Sequence, residues 1–160
     1  MMLTASLMQE LGITEGDVQR RLKIVGFGEE DRRRILALRD HVVRQADEYT
    51  KSFFAHLASL DPASELLSNQ AALQTAWQLK REHLMSMVQG TYRASYVEER
   101  LRLGQLYAEA KLDPRVFLGA YQQLMRTIGS RIMEDYRLDP LEGFAYFMSL
   151  EKIAFFDLSL

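Results

Sequence analysis

Cysteine is absent from the 160-residue sequence. That removes disulfides, thiolate zinc sites, iron–sulfur clusters and thiol catalysis together. Charge of one sign is missing too. The 20 Lys and Arg residues face 22 Asp and Glu residues, leaving a net charge of −2 and a pI near 5.9. Neither a nucleic-acid nor an anionic-membrane partner is indicated. The basic run Arg32-Arg33-Arg34 is balanced by Glu29, Glu30 and Asp31 and reads as a solvated helix face. No stretch approaches the roughly 18 to 20 apolar residues of a membrane span. Met1 to Glu10 has no basic segment followed by an apolar block, so no signal peptide is read and a cytoplasmic location is expected. Strand periodicity is missing throughout, and no phosphate-cradling glycine loop, paired His/Glu zinc spacing or nucleophile beside a base is found. A non-enzymatic, all-α chain is the expectation, with no catalytic residue and no metal site.

What is present is helix punctuation. The three prolines, Pro62, Pro114 and Pro140, each follow an aspartate. Aspartate accepts from the free N–H groups of a helix start, and proline suits its first position. A first helix is expected after Thr14, with Asp17 completing a capping box, ending near Gly26. A long helical region follows from Glu29 to about Leu60, bent near Gln45. The next carries Leu73, Ala76, Trp77, Leu79, His83, Leu84, Met87 and Val88 and stops at Gly90. Others cover Tyr96 to Lys111, Pro114 to about Arg137, and Pro140 onward. In the last helix an apolar stripe through Phe144, Phe147, Leu150, Ile153, Phe156 and Leu160 still runs at the final residue. From it we expect the helix to continue in a longer parent protein.

The order Tyr96-Val97-Glu98-Glu99-Arg100, Arg102-Leu103-Gly104, Tyr107, Leu112-Asp113-Pro114, and Gly119-Ala120-Tyr121 resembles the sensor-globin and protoglobin family. Gly26-Phe27-Gly28-Glu29-Glu30-Asp31 looks like the entry to that family's first globin helix. Phe53-Phe54-Ala55-His56-Leu57 looks like its Phe-Tyr segment, and Glu151 to Leu158 like its lysine-and-aspartate stretch. The resemblance implies a globin fold over 1–160, with N-terminal extension helices over 1–26 and the globin helices over 29–160. It further implies a homodimer through the last two long helices, at Phe117, Tyr121, Leu124, Ile128, Phe144, Phe147, Ile153 and Phe156. A signalling output domain would follow residue 160, such as cyclic-di-GMP synthesis, a histidine kinase or a chemotaxis module.

The family holds haem on a proximal histidine. Here the register puts Tyr107 at that position, Phe54 at a distal tyrosine, Leu79 near another distal polar position and Phe117 at a supporting tyrosine. Lys111-Leu112 stands where Gly-Leu is usual. Four changed positions lead us to expect a haem-free sensory domain with no cofactor, its pocket filled by Phe53 or Phe54, Trp77, Met85, Met87, Tyr107 and Phe117. A residual cavity for a non-haem apolar ligand is one variant of that reading.

Two alternatives stay open. In one, haem b is bound through Tyr107 first or His83 second, making a gas sensor with unusual ligation. Tyrosine must bind as phenolate, and ionising a phenol of pKa ~10 at pH 7 costs about 4 kcal/mol without help from iron or a cation. In the other, the chain is a pure dimerisation scaffold. His41 and His56 lie where the family has no ligand and read as surface or interface residues.

Overall fold

The computed structural model describes residues 5–61 and 64–160. Pro62, one of the three expected helix-start prolines, and Met1 to Thr4 lie outside the described residues. Eight helices are present among the described residues, with no strand: α1 (Leu7–Glu10), α2 (Glu15–Ile24), α3 (Glu29–Leu60), α4 (Glu65–Ser68), α5 (Gln70–Met87), α6 (Ala94–Glu109), α7 (Pro114–Asp135) and α8 (Pro140–Leu158).

Most boundaries follow from side-chain chemistry at the caps. Thr14 and Asp17 exchange hydrogen bonds with each other's backbone N–H and start α2 as a capping box. Asp113 accepts from the Arg115 N–H at 2.8 Å, and Asp139 from the Glu142 N–H at 3.2 Å, with proline at the first turn of both helices. Gly26 and Gly90 follow their helices with φ of 72° and 75°, the left-handed conformation glycine adopts without a Cβ clash. Two elements carry no strong sequence signal. The short α1 is held from a distance, its first N–H groups bonding the Glu98 carboxylate on α6. The short α4 is capped by Ser64. The expected bend near Gln45 does not interrupt α3, which runs through as one 32-residue helix.

The long α3 is the spine, packing against α5, α7 and α8, while α6 lies against α5 and α7 against α8. Its N-terminus is pinned to α8. Asp31, buried, accepts from the Gly28 N–H at 2.9 Å, from Ser149 at 2.8 Å and from Lys152 Nζ at 3.0 Å. Burial works against its ionisation, but these donors and the Lys152 charge outweigh it and hold the carboxyl below its usual range.

The turn from α6 to α7 holds Lys111, at the position where the resemblance implies glycine. Lys111 has φ 54° and is the one non-glycine residue with left-handed backbone among the described residues. A glycine there has no Cβ to strain, whereas another L-residue costs roughly 1–2 kcal/mol. The Lys111 side chain is exposed and reaches Glu65 at 3.3 Å, so it does not serve Tyr107.

Candidate functional site between α5 and α6

Two helix stripes build the site. On α5 the buried positions are Ala76, Lys80, His83, Leu84 and Met87; on α6 they include Tyr96, Arg100, Leu103 and Tyr107. Both follow three- and four-residue helical spacing, and each carries a cation where an apolar residue is the norm.

At one end a polar network is closed. Asp157 of α8, with no exposed surface, accepts from His83 Nε2 at 2.8 Å, Tyr121 OH at 2.8 Å and Tyr96 OH at 2.5 Å. Burial opposes its charge, yet His83, Arg100 and the Tyr96 hydrogen bond more than compensate and keep the carboxyl below its usual range. Burial also pushes the His83 pKa down, against the pull of Asp157, so the imidazole is neutral. Its proton sits on Nε2, facing the carboxylate, and Nδ1 is a bare acceptor.

Two further buried polar groups lie outside that hydrogen-bonded set. Lys80 Nζ lies 4.6 Å from the ring centroids of both Phe53 and Tyr121, fully buried. Burial first, then Arg100, pull its pKa from 10.5 down to about 7, against the opposing charge of Asp157. Tyr107 stacks on Phe117 at 5.4 Å, and the Arg100 guanidinium sits 5.5 Å from the Phe117 ring centroid. Burial drives the Tyr107 phenol well above its ordinary value, with Arg100 pulling the other way. Among the described residues, three buried side-chain polar atoms have no hydrogen-bond partner: Lys80 Nζ, Tyr107 OH and His83 Nδ1. All three are on α5 and α6. Leaving such a group dry and unpaired costs about 1–3 kcal/mol, so three together mark a place built for something else.

Several sequence expectations are refined here. Tyr107 and Phe117 do come together. Phe54 is buried on α3 against Phe53, but it is Phe53 that faces Lys80. Trp77 and Leu79 are only partly buried at the edge of the core. His83 belongs with Tyr96, 11 residues before Tyr107, or ~16 Å along α6. His41 bonds Tyr49 at 2.7 Å. His56 is half-buried on α3. Lys80 has no place in the sequence reading, and Tyr96, Arg100 and Asp157 enter it only within the family motifs, without a site role. The available signal was a lysine inside the apolar stripe Ala76-Lys80-Leu84-Met87.

The residues expected at a dimer surface divide between an inward and an outward face. Tyr121, Leu124, Ile128, Ile153 and Phe156 are enclosed in the chain's own core, because α7 and α8 are apolar on two faces and these residues point inward. The outward face carries Phe155 (59% exposed), Phe144 (55%), Leu118 and Leu158 beside the half-buried Phe147. They line a groove of about 1050 Å³ between α7 and α8. Among the described residues no helix is long and apolar enough to cross a membrane.

The helix order has a counterpart among known proteins: the model of the Protoglobin family matches residues 14–160. This chain belongs to the protoglobin family. It is also similar to the heme-based aerotactic transducer HemAT of Halobacterium salinarum, at 26% identity over 137 residues. The match covers 84% of this chain and 28% of the relative, so the chain spans little more than a quarter of that protein's length.

This overturns the expectation of a domain without cofactor. The relative is named for its haem, and membership of its family makes haem the cofactor to expect. The changed positions did not exclude other donors: Tyr107 OH and Lys80 Nζ are buried without a hydrogen-bond partner on α6 and α5.

Proposed function

We propose that this chain is a haem-binding sensor globin domain, the non-enzymatic input module of a cytoplasmic signalling protein, with haem between α5 and α6 and Tyr107 as its ligand. The observation that carries this reading is the buried Tyr107 hydroxyl without a partner, on the residue to which the resemblance assigns the proximal position. A buried phenol with no hydrogen-bond partner from the protein is costly to keep. Arg100 favours the phenolate, and a bound iron centre would supply the larger share of the charge that burial withholds. Haem would contribute a metal centre able to take up a small gaseous ligand; the polypeptide would contribute the axial donor and an enclosed, water-poor setting.

His83 gives a second reading, favoured by its bare Nδ1 and by Asp157 fixing the opposite nitrogen, the arrangement usual for ligating histidines. Tyr107→Phe and His83→Ala separate the two. Expression with haem supplementation should give a Soret band that Tyr107→Phe abolishes and His83→Ala retains. The reverse pattern transfers ligation to His83, and a band untouched by both variants excludes either ligand.

The same reading makes a second copy of this chain the occupant of the α7–α8 groove. Exposed Phe144 and Phe155 flank a trough whose apolar lining is edged by Arg126, Glu134, Arg137 and Glu151, and large aromatic side chains are the usual anchors of stable interfaces. Pairing across a twofold axis would bury both copies of the trough at once. The output domain would continue from α8.

A further inference from the structure

Resting on the pairing of two copies above, we infer that Gly129 sets the shape of the pairing face. Without a Cβ it lets the Phe147 ring lie down within the α7–α8 groove, and the hollow this leaves receives an apolar side chain of the second copy. Gly129 is buried inside α7, and its backbone is not left-handed. Glycine is a weak helix former at such a position, because it gives up more backbone freedom than any other residue. A close approach accounts for it. A Cβ at Gly129 would lie 2.7 Å from Phe147 Cε2 and 2.9 Å from Cδ2, well inside van der Waals contact. The ring carried by α8 therefore rests directly on the backbone of α7.

What would yield to an added methyl decides the consequence. At Gly143, the other close approach between these helices, a Cβ would meet Tyr136 Cβ at 2.8 Å, an atom fixed to its own backbone. At Gly129 the obstructing atoms are the far side of a ring that is half-buried and lines the groove. The free side of that ring is the groove itself, about 1050 Å³ in volume. Its buried lining, Met125, Gly129 and Ala154, forms the floor, and exposed Leu118, Phe144 and Phe155 form the margins. A surface with protruding phenylalanines beside a hollow is complementary to itself, as a twofold pair requires. Charge agrees. Two cations, Arg126 and Arg137, and two anions, Glu134 and Glu151, edge the groove, a balance that suits a copy of the same surface better than a partner of one sign.

The test is light scattering over a concentration series, with urea unfolding and helix content as controls for the fold. Gly129→Ala should push the Phe147 ring into the hollow and raise the dimer dissociation constant by about tenfold. Its helix content and unfolding midpoint should stay at or above wild type, because alanine is the better helix former. Adding Phe147→Leu to Gly129→Ala shortens the obstructing side chain and should return pairing to within about threefold of wild type. Phe155→Glu, at the margin, tests the pairing itself. If it dissociates the dimer while Gly129→Ala pairs as wild type does, the Gly129 assignment is overturned and the pairing stands. The assignment also falls if Gly129→Ala loses helix content, since the ring then does not yield outward, or if Phe147→Leu does not restore its pairing. A Phe155→Glu protein that stays dimeric overturns pairing through this groove. So does a wild type that stays monomeric at high micromolar concentration, with or without a co-purified small molecule in native mass spectra.

Discussion

The two ends of the space between α5 and α6 are built from the same kinds of residue and come out differently. At the end near Tyr96, Asp157 gathers three donors from three helices, and of its partners only His83 Nδ1 is left unpaired. Outside that hydrogen-bonded set, Lys80 beside the Tyr121 ring and Tyr107 beside Phe117 are buried without a hydrogen-bond partner. One set is finished by the polypeptide; the other is not. The contrast teaches where to look for function. A satisfied buried network contributes to stability and to a unique packing, while an unsatisfied one loses stability unless a ligand completes it.

The largest test of that contrast is Asp157→Asn. It removes the buried carboxylate that faces Lys80 and Arg100, and should cost about 3–5 kcal/mol by chemical denaturation, since a broken buried network leaves charge uncompensated. The pH dependence has a definite sign. The Asp157 pKa is depressed in the fold, so its contribution is present above the ordinary carboxyl value of 3.8 and is lost as pH falls through the folded value. The His83 pKa is also depressed, so the unfolded chain takes up this proton first and stability falls as pH drops below 6.5. In Asp157→Asn the carboxylate part of that acid sensitivity should disappear.

Lys80→Leu should act in the opposite direction in protein without haem. Between pH ~7 and 10.5 the unfolded chain holds the Lys80 proton and the folded chain does not, so stability rises with pH across this window and is flat below it. The substitution should therefore stabilise by about 2–4 kcal/mol at pH 7, as replacing a buried charge with an apolar residue does, and by little at pH 10. Thermal melts of both proteins at the two pH values measure this. Equal melting temperatures at pH 7 would mean that Lys80 is not buried as described.

Phe155→Glu lies outside both ends and sharpens the comparison by leaving them alone. It should cost about 2 kcal/mol of association and shift light scattering at micromolar concentration toward the 18.5 kDa monomer, with unchanged unfolding of the core. The smallest effect is expected at the turn after α6. Lys111→Gly should add about 1 kcal/mol by releasing left-handed strain, since the Glu65 pair it forfeits is exposed and worth little.

Sequence reasoning reached the helices because Asp-Pro steps and the Thr14–Asp17 box are local chemistry, fully specified within four residues. It named Tyr107 and Phe117 through the family resemblance, and their rings stack at 5.4 Å. It stopped where the outcome depends on which face of a helix turns inward. Both faces of α7 and α8 are apolar, so Phe156 and Phe155 look alike as letters, though one has no exposed surface and the other is 59% exposed. Lys80 escaped notice for a related reason. A lysine defaults to the surface, and only the packing of α5 on α3 and α7 puts this one between two rings. The absence of a cofactor was inferred from positions that had changed, without sight of the unpaired donors that remain.

The central claim, that haem takes the unpaired Tyr107 as its ligand, is tested most directly by thermal unfolding against haemin concentration. A ligand that binds the folded state raises the melting temperature progressively with concentration. The account predicts such a rise for wild type, saturating at one haem per chain, and its loss in Tyr107→Phe. A melting temperature that does not move at haemin excess, with the pigment removed by desalting, would contradict it.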